Sequence, residues 1–197
     1  MGEMLNVILF DGFETLDAFG PVEIFGRVPD GYYEIEHFSL NGGAVKSDQN
    51  VSVNTKAFSA IKSGVILVPG GAGAVKLRGS SAYLKILKEI AYSSKYILSV
   101  CTGSMLLAGA GLLDGKKATT NKMIFERAAA LYPKVDWIKK ARWVKEENIY
   151  TSSGVTAGMD MALDFVSDIL SSEIAENVSE TIEYVRNKDS ANDPFAL

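Results

Sequence analysis

Residues 95–105 read Lys-Tyr-Ile-Leu-Ser-Val-Cys-Thr-Gly-Ser-Met and set the chain's only cysteine between an apolar run and a turn of small residues. Tyr96 to Val100 has the apolar character of a buried parallel strand, and Gly103 to Ala110 is small and apolar enough to open a closely packed helix. Cys101 therefore falls at a strand-to-helix turn. The spacing Ser99-x-Cys101-x-Gly103 is that of a nucleophile elbow with cysteine in place of serine, where small flanking residues let a strained backbone turn sharply and lift the side chain out of the sheet. A sulfur so placed is expected to be exposed. Unpaired N–H groups and the positive end of the helix dipole favour thiolate, so its pKa is expected below the free value of about 8.5. The competing reading is a buried structural cysteine, because free cysteines are among the most buried residues. The elbow spacing favours a nucleophile.

Working outward, the preceding segment alternates strand and helix. Met4 to Phe10 is an apolar run broken only by Asn6 and ended by Asp11-Gly12. After it, Leu16, Phe19, Val22, Ile24 and Phe25 recur at helical spacing, with Pro21 a reason to expect the helix in two pieces. Tyr33 to Leu40 alternates as a strand, and Asn41-Gly42-Gly43 reads as a hairpin turn behind it. Val51 to Val53 alternates again, and Gly64 to Val68 is an apolar strand ending in the glycine-rich loop Pro69-Gly-Gly-Ala-Gly73. Ser81 to Ser94 places Leu84, Leu87, Ile90 and Ala91 on one face of a helix that leads into the Cys101 strand.

Beyond the elbow, Lys117 to Thr120 reads as a short strand and Met123 to Tyr132 as a helix stopped before Pro133. Alternation around Ala141 to Val144 and Asn148 to Tyr150 ends at the loop Thr151-Ser-Ser-Gly154. Helices are expected from Val155 to Leu170 and from Glu173 to Arg186, followed by a polar tail, 187–197, docked on the body. Apolar strands alternating with helices imply a doubly wound α/β sandwich with a mainly parallel, flavodoxin-like sheet, and one domain spanning 1–197. Sites in such sheets lie outside the carboxyl ends of the strands. The loops at Asp11 to Asp17, Pro69 to Gly73, Ser99 to Gly103 and Thr151 to Gly154 are thereby candidates to converge on Cys101.

Composition narrows the function classes. The 197 residues suit one domain with a full core, and a net charge of −4 with 22% charged residues leaves no basic footprint for nucleic acid or an anionic membrane. A single cysteine excludes an intramolecular disulfide and cysteine-rich metal motifs, which fits a reducing cytoplasm. The start Met-Gly-Glu-Met has no signal-peptide pattern, and no apolar run approaches the roughly 20 residues of a membrane helix. A soluble, cytoplasmic protein is expected.

The stretches ILFDGFETLDAFGPVEIF at 8–25, LVPGGAG at 67–73, SVCTGSMLLAGAGLLDGKKATT at 99–120, TSSGVTAGMDMALDF at 151–165 and the DPF of the tail resemble the DJ-1/PfpI (ThiJ) superfamily. This is the class I glutamine-amidotransferase-like fold, and the resemblance is to the branch that contains isonitrile hydratase. It implies a nucleophile at Cys101, a hydrogen-bonding partner at Thr102, an acid at Asp17 near the sulfur, and a homodimer. Protease-like members carry histidine after the cysteine, where Thr102 stands here. The same pattern resembles the amino-terminal sensor domain of some AraC-type regulators, for whose DNA-binding helices this chain has no room. A second departure is ATTNKM, where many relatives have histidine at the position of Asn121.

The chemistry at such a site needs a proton carrier beside the sulfur. The only histidine, His37, falls inside an early strand, so a carboxyl group is the remaining candidate. Asp17 fits the family position. Glu14 reads as an acid favourable to a helix start, and Glu23 is a third acid in the region. Backbone N–H groups of Gly71 and Thr102, with Gly70 beside them, are the expected oxyanion donors. Pro-Gly-Gly-Ala-Gly matches neither a phosphate loop nor a dinucleotide fingerprint. Phe13 and Phe19 either line an apolar pocket or join the core. The reading is a cysteine-dependent hydratase or hydrolase of a small substrate, needing no metal or organic cofactor. The alternatives are a redox-responsive, non-catalytic sensor and a glyoxalase or deglycase; a glutamine amidotransferase is disfavoured.

Overall fold

The computed structural model describes residues 2–196. In chain order its elements are β1 (Glu3–Ile8), α1 (Thr15–Gly26), β2 (Tyr33–Ser39), β3 (Asn41–Lys46), β4 (Ser52–Ala57), β5 (Val65–Val68), α2 (Ala72–Leu77), α3 (Ser81–Ser93), β6 (Tyr96–Val100), α4 (Gly103–Gly109), β7 (Lys117–Ala118), α5 (Phe125–Leu131), β8 (Asp136–Trp137), β9 (Trp143–Glu146), β10 (Ile149–Ser152), α6 (Ala157–Ile169) and α7 (Ser172–Thr181). The main sheet runs β3-β4-β2-β1-β5-β6-β10-β9. Its six central strands are parallel and its two edge strands antiparallel, as expected of a doubly wound fold. Helices α1, α6 and α7 pack together as one layer, and α2, α3 and α4 as the other.

Burial on both faces explains the apolar strands. All four residues of β5 are at most 1% exposed, and each such side chain contributes about 1.5–3 kcal/mol by leaving water. Asn6 interrupts β1 without cost to pairing, because its Nδ2 donates to the carbonyls of Lys62 and Val65 at 3.0 and 3.2 Å. Register aligns the carboxyl ends around the elbow: Val68 pairs with Ser99, and Ser99 with Thr151. The loops after β1, β5, β6 and β10 consequently open at the same end of the sheet.

Three expectations are corrected. Helix α1 is continuous through Pro21; the proline removes one hydrogen bond, that to the Asp17 carbonyl, while burial of Ile24 and Phe25 holds the rest of the helix. Asn41-Gly42-Gly43 is not a hairpin turn. It begins β3, which pairs with β4, and the turn lies at 47–51 with Asn50 in the left-handed region. β2 instead joins β4 in parallel. Helix α7 ends at Thr181 rather than near Arg186, because the chain from Tyr184 onward bonds to α6 and the β9 edge: Asn187 N–H to Asp160 Oδ1 at 2.8 Å, and Arg142 N–H to the Ser190 carbonyl at 2.8 Å.

Candidate active site

The elbow forms because the backbone at Cys101 is over-determined. Its φ is +57°, in the left-handed region that costs a non-glycine residue about 1–3 kcal/mol. The Cys101 N–H donates to the Ser153 carbonyl at 3.0 Å, and its carbonyl accepts from Ser104 Oγ and Thr120 Oγ1, both at 2.9 Å. Gly103 completes the turn: a Cβ there would stand 2.2 Å from the Val68 carbonyl oxygen, so only glycine lets α4 start this close to β5.

Loops from two other strands are sewn together over this turn. Glu14 N–H donates to the Gly70 carbonyl at 2.8 Å, and Gly73 N–H to the Gly12 carbonyl at 2.8 Å. Gly71, at φ +121°, fits the seam because a Cβ would lie 2.3 Å from the Gly12 oxygen. Asp17, in the first turn of α1, is thereby carried under the glycine loop, where its Oδ2 accepts the Gly70 N–H at 2.9 Å. The carboxyl is fully buried and its Oδ1 has no well-formed hydrogen bond.

Burial pushes Asp17 up to about 7, and the nearby Glu14 charge adds to the rise against the opposing pulls of the Gly70 N–H and the Cys101 thiol. Cys101 is itself only 7% exposed. Burial, reinforced by the Asp17 charge, holds its thiol well above the usual range, although the Asn121 amide and the Thr102 N–H favour the anion. The expected exposed, acidic thiol is therefore corrected to a buried one, because desolvation outweighs the helix start. What the arrangement provides is a neutral thiol facing a carboxyl group that exchanges its proton near neutrality.

The expected site residues come together unequally. Cys101, Asp17, Thr102, Gly70 and Gly71 meet, but two of the expected oxyanion donors are occupied: Gly70 N–H by Asp17, and Gly71 N–H by Thr102 Oγ1 at 2.9 Å. Glu14 is half-buried, and Gln49 Nε2 donates to it at 2.9 Å. Glu23 is on the surface, paired with Arg27 at 2.7 Å. His37 lies in β2, separated from β6 by β1 and β5, against Phe19 with ring centroids 5.7 Å apart. Phe13 is fully buried and Phe19 packs on it, so both belong to the core rather than to a pocket wall.

A cavity of about 520 Å³ is lined in part by Asn121, Lys122, Met123, Gly154, Val155 and Phe195; Cys101 is not part of its wall, and Asn121 links the two. Asn121 Nδ2 donates to Cys101 Sγ at 3.3 Å. Burial pulls Lys122 down to about 8; its Nζ donates to Thr119 Oγ1 at 2.7 Å and to the Ala141 carbonyl at 2.6 Å. Behind the cavity, Arg142 Nε and Nη2 each lie 2.7 Å from buried Asp160 Oδ2. Sequence reasoning marked Asn121 only as a departure and missed Lys122, which reaches the distant Ala141 carbonyl, and Arg142 and Asp160, which lie 18 positions apart. Among the described residues no group of three or more His, Cys, Asp or Glu side chains is arranged for a metal ion, and no helix is long and apolar enough to cross a membrane.

Comparison with known proteins adds four findings. A family model described as the DJ-1/PfpI family matches residues 4–168. The chain is 31% identical to the isonitrile hydratase of Pseudomonas putida over 185 residues, 93% of this chain and 79% of that one. It is 24% identical to a deglycase of Thermococcus kodakarensis over 149 residues, 72% of this chain and 88% of that one. Among solved structures, a ThiJ/PfpI family protein from Pseudomonas syringae superposes with a TM-score of 0.84 at 29% identity, over 95% of this chain and 77% of that one.

Proposed function

The chain belongs to the DJ-1/PfpI family, and from that premise we propose that it is a cysteine-dependent hydratase that converts a small isonitrile to an N-substituted formamide. The observation that carries this reading is the pairing of Cys101 with a buried carboxyl group raised to about 7, in a chain with no histidine at the site. The likeness to an isonitrile hydratase supports the substrate class.

The steps balance without metal or organic cofactor. Ionised Asp17 takes the thiol proton as sulfur adds to the terminal isonitrile carbon, and returns that proton to the same carbon; one S–C and one C–H bond form, giving a thioimidate. Water then adds to the thioimidate carbon while Asp17 relays its proton to nitrogen. The C–S bond breaks, the thiol regains a proton, and the formamide leaves. A base near neutral pKa suits this exchange because it is both a competent acceptor and a competent donor at pH 7. Thr102 holds the glycine loop over the sulfur through Gly71. A homodimer accompanies this reading by family resemblance, and the single cysteine suits a reducing cytoplasm.

The test is turnover of cyclohexyl isocyanide, with methylglyoxal and a chromogenic peptide in parallel, for the wild type, Cys101→Ala and Asp17→Asn. Formamide release abolished by both substitutions supports the reading. Methylglyoxal turnover alone supports the deglycase reading that the Thermococcus relative suggests. No turnover with any of them sinks the enzyme reading and leaves a thiol sensor.

A further inference from the structure

We propose that Asn121 is a positioning residue for Cys101, whose side-chain amide orients the sulfur and stabilises its thiolate as the proton moves to Asp17. The inference rests on the reading of Cys101 as the reacting nucleophile, and it assigns a task to the position where the family pattern favours histidine.

Three independent constraints aim this amide. Asn121 caps the short 3-10 turn Lys122–Ile124, and its Oδ1 accepts the Met123 N–H at 2.9 Å. With the oxygen so engaged, Nδ2 is the end that meets Sγ, at 3.3 Å. The facing residue is Gly154, where a Cβ would lie 2.6 Å from Nδ2, so the bare backbone of the β10–α6 loop makes room for the amide. The segment that carries Asn121 is fastened on both sides: Thr120 Oγ1 donates to the Cys101 carbonyl at 2.9 Å, Thr119 N–H to Thr151 Oγ1 at 2.9 Å, and Lys122 Nζ to the Ala141 carbonyl at 2.6 Å.

The charges around the sulfur leave this task to Asn121. Asp17 of α1 faces the thiol and its charge opposes the anion, while Glu14 ahead of it acts on Asp17 itself. The glycine loop 69–73 and the loop 153–156 carry no charged side chain. Lys122 turns its ammonium to the oxygens of Thr119 and Ala141, and across the cavity Lys139 is paired with Glu126 at 3.0 Å. Asn121 is thus the side-chain donor to Sγ among the described residues. An amide donates at every working pH and never competes for the proton. A histidine there would be a second titrating group, whereas this site keeps a single acid, Asp17.

The test is the pH dependence of carbamidomethylation of Cys101 by iodoacetamide, measured on the full chain for wild type, Asn121→Ser and Asn121→Thr. Serine and threonine both retain an oxygen able to cap the 3-10 turn but are too short to reach the sulfur. Loss of a hydrogen bond to an anion should slow alkylation about tenfold at each pH from 7 to 9, with melting temperatures close to wild type. Wild-type rates across pH 7–9 in either folded variant overturn the proposal. Alkylation needs no turnover, so slower alkylation of the variants in a protein inert toward isonitriles would sink the hydratase reading and leave the role of Asn121 standing.

Discussion

Thr102 Oγ1 accepts the Gly71 N–H at 2.9 Å and lies 3.3 Å from the Gly71 carbonyl, to which it donates. One hydroxyl thereby ties the loop after β5 to the elbow after β6. Thr102→Val keeps the shape and removes both bonds. It leaves the Gly71 N–H without its acceptor, at a cost of about 1–3 kcal/mol. Urea unfolding should register that loss, and isonitrile turnover should fall with it as the glycine loop loosens over Cys101. Unchanged stability in Thr102→Val would mean that the loop is held by its seam to Gly12 and Glu14 alone.

Asp17 makes stability depend on pH with a definite sign. Its pKa is raised from 3.8 to about 7 in the folded chain, so the folded state holds a proton that the unfolded state has released. The stability it contributes is complete below about pH 4 and is lost as pH rises through 7. Asp17→Asn mimics the protonated carboxyl and should match wild type near pH 4 but exceed it at pH 8, by on the order of a few kcal/mol. Urea midpoints of both proteins across pH 4–8 check this; parallel curves would place the Asp17 pKa near its ordinary value.

Gly154→Ala offers a selective perturbation of the sulfur. A methyl group there meets the Asn121 Nδ2 at 2.6 Å, the free end of a side chain rather than backbone. The amide should swing away from Cys101 while the fold stays within about 1 kcal/mol of wild type. Iodoacetamide labelling at pH 7 should therefore slow with little change in melting temperature. Equal slowing of labelling in Gly154→Ala and Asn121→Ser would tie both effects to the same hydrogen bond.

Arg142 and Asp160 bolt the C-terminal tail to the wall of the cavity. Asp160 Oδ1 accepts from Asn187 N–H at 2.8 Å and from the Tyr184 hydroxyl at 3.1 Å, while Arg142 N–H reaches the Ser190 carbonyl at 2.8 Å. Arg142→Met strands a buried carboxylate and should cost about 3–5 kcal/mol. The tail they hold runs on to Phe195 at the cavity, so proteolysis after Tyr184 should accelerate in Arg142→Met. Pairing it with Asp160→Leu should recover part of the stability.

Much of this molecule follows from local sequence. The apolar run Tyr96–Val100 and the small residues from Gly103 give a strand and a helix joined at Cys101, because side-chain size and hydrophobic period act over a few residues. The alternation of such units gives the parallel sheet, and that sheet places its loops at one end. Local rules failed where distant backbone competes: Gly42 and Gly43 look like a turn but lie in β3, whose partner is β4. The electrostatics of the site belong to tertiary structure entirely. A helix start beside Cys101 argues for an acidic thiol, yet desolvation and Asp17, 84 positions earlier in the chain, reverse that expectation. Burial is the sum of many distant segments, and neither a titrating carboxyl group nor the aim of the Asn121 amide is written in the residues that flank it.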